Sequence, residues 1–148
     1  MVLGWFKSER RERRRKVRLD RQYLETRARR FLKNYLSADQ DRKPLFYRAV
    51  EDASIQCHQS VTSEIEDAQI AEATSRAAMQ VVLRREGRSA IEKADDQTAD
   101  FVTDAYATVA IAYHRAAGIY TDDKKMQELG TAAVHLLTMA TSYLKAQP

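Results

Sequence analysis

Four carboxylates, Glu92, Asp96, Asp100 and Asp104, follow one another at intervals of four residues, a spacing that stacks them on one side of a helix. Lys93 is the only cation within their run, so the ladder repels itself. Such a face is either solvated or receives a basic arm, the chain's own or a neighbour's. The opposite charge gathers upstream. Arg10, Arg11, Arg13, Arg14, Arg15, Lys16, Arg18 and Arg21 surround a helix instead of marking one face of it, with Glu9, Glu12 and Asp20 as their local partners. Like charges three and four residues apart cost about 0.2–0.5 kcal/mol per pair. An anionic surface would remove that cost, and the chemistry implied is anion binding.

Met1, Val2, Leu3, Trp5 and Phe6 precede the arginines. Aromatic rings beside a polybasic stretch have the physics of a peripheral membrane anchor: the rings enter the headgroup boundary and the cations meet anionic lipid. Nucleic acid would accept the same arginines through bidentate phosphate contacts and counterion release, and Trp5 could stack on an unpaired base. The apolar tip would also suit a hydrophobic groove.

Catalytic chemistry finds less support. His58, His114 and His135 are the only histidines, and none follows a Glu or Asp by three residues as a di-iron bundle requires. Cys57 and His58 are adjacent, but neighbours on a helix diverge by about 100°, so they do not form a nucleophile–base pair. No glycine-rich phosphate loop or nucleophile elbow occurs. The reading from these residues is a protein without catalytic, cofactor-binding or metal-binding residues, and with no small-molecule substrate.

The elements that must hold these groups are helical. The 148 residues fit one domain, and four Gly and two Pro leave too little turn chemistry for many short strands. A single cysteine excludes an internal disulfide, and no apolar run reaches the roughly 20 residues of a bilayer span. Residues 1–33 hold 13 Lys or Arg against four Asp or Glu, a net of +9, while residues 34–148 hold 12 against 17, a net of −5. The basic character therefore belongs to an arm.

Val17, Leu24, Ala28, Phe31 and Tyr35 make one stripe, predicting a helix from about residue 9 to 36. Ser37 to Pro44 is a polar connection. A long run follows, with a break expected around Gln59 to Ser63, where Ser63 and Glu66 form a capping box. The next seam is Val61, Ile65, Ala68, Glu72, Ser75, Met79 and Val82. Gly87 and the capping box Ser89 to Glu92 predict a helix boundary at 87–89. Gly118 is the expected stop of the following helix, and Thr121, Asp122 and Asp123 the expected caps of the last. Tyr106, Tyr113 and Tyr120, seven apart, adjoin the acidic ladder as core edge or as a protein-binding strip.

The expectation is an all-α protein, an antiparallel bundle of four to five helices with a long basic N-terminal helix or arm. Residues 1–16 are the arm and 17–148 the bundle. Abundant alanine on the seams predicts tight packing and little room for an internal site. Function reads as a non-catalytic cytoplasmic adaptor. Its arm, through Trp5, Phe6 and the arginines, meets an anionic surface, foremost the inner membrane leaflet. Its acidic or Tyr-lined face meets a protein partner or a second copy of the chain. The alternative is a nucleic-acid-binding protein that sets the same arginines on phosphates.

Overall fold

The computed structural model describes residues 21–59, 67–92, 97–119 and 121–147. Among them stand five helices and no strand: α1 over residues 21–37, α2 Lys43–Gln59, α3 Asp67–Glu92, α4 Gln97–Ala116 and α5 Lys124–Ala146. The all-α bundle expected from the periodicity is the fold. No described helix is long and apolar enough to cross a membrane.

The α1 stripe packs inward as its spacing requires: Leu24, Ala28, Phe31 and Tyr35 are buried. Val17 and the expected start of the helix lie outside the described residues. On α5, Met126, Leu129, Ala133, Leu136 and Ala140 form the buried face, with Tyr143 packed against it. In the α3 seam, Ser75 is fully buried and bonds back to the Glu72 carbonyl at 2.8 Å, whereas the Glu72 side chain is exposed and pairs with Arg76.

α4 is the central element, packed on α2, α3 and α5. Its two faces separate less cleanly than the sequence suggested. Residues Thr103 to Ala112 are buried without interruption, as happens when a helix is enclosed all round. Alanines at 105, 107, 110 and 112 let the neighbouring helices approach closely.

Gly118 ends α4 as predicted. It has φ +77°, Ile119 N–H donates to the His114 carbonyl at 2.9 Å and Gly118 N–H to that of Arg115 at 3.2 Å, a Schellman closure. Asp123 caps α5 by accepting from Met126 N–H at 3.1 Å. The expected break near 59–63 falls between α2 and α3; Val61, Ser63, Ile65 and Glu66 lie outside the described residues. The boundary predicted at 87–89 is wrong, because α3 continues through Gly87 to Glu92. A lone glycine costs a helix about 1 kcal/mol relative to alanine, which good helix formers on both sides can offset.

Candidate functional site

Asp104, the last rung of the acidic ladder, faces inward. Its side chain is 6% exposed and accepts from two arginines of α1. Arg27 Nη1 donates to Oδ1 at 2.7 Å; Arg30 donates through Nε to Oδ2 at 2.6 Å and through Nη2 to Oδ1 at 2.8 Å. Arg27 and Arg30 are three residues apart, so one helix turn presents both guanidiniums to one carboxylate. The hydrogen bond to Asp104 raises the Arg30 pKa above its ordinary value against the opposing effect of burial, and the Asp104 and Asp100 charges add to it.

Arg30 also lines an open cleft of about 860 Å³ between α1, the α1–α2 connection and the first turns of α4. Arg42, Asn34 and Ser37 give the cleft further polar groups, and Asp100 stands on its α4 side. The floor is aromatic. Phe31, Phe46 and Phe101 pack with ring centroids 5.1–5.3 Å apart, a geometry that holds the rings in place. The arrangement is an apolar base edged by two guanidiniums, an amide, a hydroxyl and two carboxylates, of which Asp104 is already engaged by arginines. It suits an anionic ligand with an aromatic or apolar portion.

The other sequence candidates scatter. Trp5, Phe6, Arg10, Arg11, Arg13, Arg14, Arg15, Lys16 and Arg18 lie outside the described residues, as do Asp96 and Tyr120. Arg21 pairs with Asp123, the α5 cap, and so ties α1 to α5. Glu92 is the last residue of α3 while Asp100 and Asp104 belong to α4, so the ladder is not one continuous helical face. Tyr106 is buried and donates to Gln56 of α2. The Tyr113 hydroxyl shares hydrogen bonds of 2.6 Å with Ser54 and with His58 Nε2. Burial pushes the Tyr113 pKa up, with the Ser54 bond pulling the other way. Both tyrosines thus clasp α4 to α2.

Cys57 is buried, and burial lifts its thiol to about 11. His114 is buried as well, and burial lowers it to about 4. Neither borders the cleft.

A family model described as PIN domain matches residues 27–144. The chain belongs to the PIN domain family. No curated protein and no solved structure matches it. PIN domains are typically nucleases, which points to nucleic acid as the partner class and to an enzyme.

Membership in the PIN family overturns the reading of a non-catalytic adaptor: protein and membrane partners lose their support, and the nucleic-acid alternative fits better. The cleft opens beside α1, away from the buried alanines of α4. The sequence reading also passed over Arg27, Arg30, Asn34 and Arg42. A signal for Arg27 was present, since it sits three residues after Leu24 and four before Phe31, on the buried stripe itself.

Many nucleases hold divalent ions between carboxylates. Among the described residues the donor set does not fit that use. Both Asp104 oxygens are taken by guanidiniums, and no group of three or more His, Cys, Asp or Glu residues among those described converges as metal ligands.

Proposed function

We propose that this protein is a nuclease of the PIN family that engages the phosphodiester backbone of nucleic acid in the cleft between α1 and α4. The observation that carries the reading is the family match across residues 27–144, which spans every cleft-lining residue. Arg30 and Arg42 are suited to phosphate oxygens, because a guanidinium fork gives charge-assisted bidentate contacts. The same guanidiniums would stabilise negative charge developing on a phosphoryl group under attack.

Asp100 is the exposed carboxylate of the cleft and has no hydrogen bond or ion pair of its own among the described residues. It is the candidate general base, taking a proton from the attacking hydroxyl or water. The aromatic floor of Phe31, Phe46 and Phe101 supplies the apolar surface on which a base or sugar can rest.

The test is cleavage of end-labelled RNA and DNA, resolved on denaturing gels, by the full chain and by Asp100→Asn and Arg42→Gln. Cleavage that Asp100→Asn abolishes and Arg42→Gln weakens supports the reading. Absence of cleavage of either polymer, or full activity in Asp100→Asn, contradicts it.

A further inference from the structure

Arg30 commits only one edge of its guanidinium to Asp104, through Nε and Nη2. A guanidinium carries five N–H donors in a planar fork. Its Nη1 group therefore remains for another anion, and the side chain is 48% exposed where it lines the cleft. From the buried side Arg27, 10% exposed, holds the same carboxylate. A dication approaching Asp104 would meet both guanidiniums and would have to displace a buried one.

We infer that Asp104 is a positioning residue that orients Arg30 toward a nucleic-acid phosphate, and that the cleft binds this phosphate without a bridging divalent cation. The inference rests on the nucleic-acid reading above and deepens it. Asp104 fixes the plane of the Arg30 fork, so the ligand meets an oriented donor pair and not a freely rotating cation. Such pre-organisation spares the ordering cost that binding would otherwise carry.

The experiment is fluorescence anisotropy of a short fluorescein-labelled oligoribonucleotide with the full chain, in EDTA and in MgCl2 at matched ionic strength, because salt alone changes phosphate binding. The affinity should be the same in both. Arg30→Gln should weaken it about tenfold, the scale of one charge-assisted contact. Arg30→Lys, which keeps the charge and loses the fork, should weaken it too. Asp104→Asn is the discriminating variant. Removing a negative charge beside an anionic ligand should by charge alone tighten binding, so weaker binding in folded Asp104→Asn marks the positioning role.

Tighter binding in that variant overturns the inference, as does binding that requires Mg2+. So does saturable Mn2+ uptake by the free protein, followed by electron paramagnetic resonance, that Asp104→Asn removes. Should Asp104→Asn fail to fold, unchanged affinity in Arg30→Lys overturns the positioning role by itself. If the oligonucleotide binds under no condition, the nucleic-acid reading falls and the Arg30 contact with it. The Mn2+ titration then still decides whether the carboxylates take a metal.

Discussion

Arg27 and Asp104 stand 77 residues apart in the chain and 2.7 Å apart in the fold, and both side chains are buried. The pair joins α1 to α4 beneath the cleft, and Arg30 joins it from the cleft side. Two arginines of α1 therefore share one carboxylate of α4.

Removing that carboxylate should be costly. Asp104→Ala breaks the buried Arg27–Asp104 pair, a change that typically costs about 3–5 kcal/mol. Arg30→Ala removes a guanidinium that is half in solvent and should cost about 1 kcal/mol or less. Urea unfolding followed by circular dichroism measures both. Equal losses for the two variants would mean that Arg27 does not depend on Asp104.

Acid should weaken the fold through His114. Burial lowers its pKa from 6.5 to about 4, so the unfolded chain binds the proton more readily than the native one. Stability is then full above pH 6.5 and is lost as pH falls from 6.5 toward 4. At about 1.36 kcal/mol per pKa unit, the loss approaches about 3 kcal/mol. Denaturation midpoints across this range should fall less steeply in His114→Gln, provided that variant folds.

Two glycines should respond to alanine for different reasons. Gly130 lies inside α5, where alanine would ordinarily help the helix. A Cβ there would stand 2.7 Å from Cβ of Arg115, so α4 and α5 would have to separate, and Gly130→Ala should lower the melting temperature. Gly118 faces open space but holds φ +77°, so Gly118→Ala should cost about 1 kcal/mol through backbone strain alone. Thermal melts of the two variants check both expectations.

Cys57 should be inert to alkylation in the native protein. Burial excludes reagent and lifts the thiol to about 11, leaving little thiolate at pH 8. Iodoacetamide labelling, read by mass, should occur in urea and not in buffer. Rapid native labelling would show that α2 opens locally.

The bundle was legible because its evidence is local. The 3/4 spacing of Leu24, Ala28, Phe31 and Tyr35, the αL stop at Gly118 and the cap at Asp123 each follow from a few neighbouring residues. The cleft was not legible for the opposite reason. Arg30, Arg42 and Asp100 come from three separate stretches, and only the folded chain brings them to one opening. Helix spacing gives Asp104 a face but not what packs against it, so the choice between a solvated ladder and one that receives basic residues stays open until the fold supplies Arg27 and Arg30. The guanidiniums that meet Asp104 are Arg27 and Arg30, further along the same basic segment than the dense run at residues 10–21.

The most direct test of the cleft as a nucleic-acid site is the salt dependence of oligoribonucleotide binding in the wild type, Arg30→Gln and Arg42→Gln. Each phosphate contact to a single strand contributes about 0.7 to the slope of log K against log salt. The account predicts that each variant lowers the slope by about that amount, and the double variant by about twice it. Slopes identical to wild type in all three variants would place the phosphates elsewhere and contradict it.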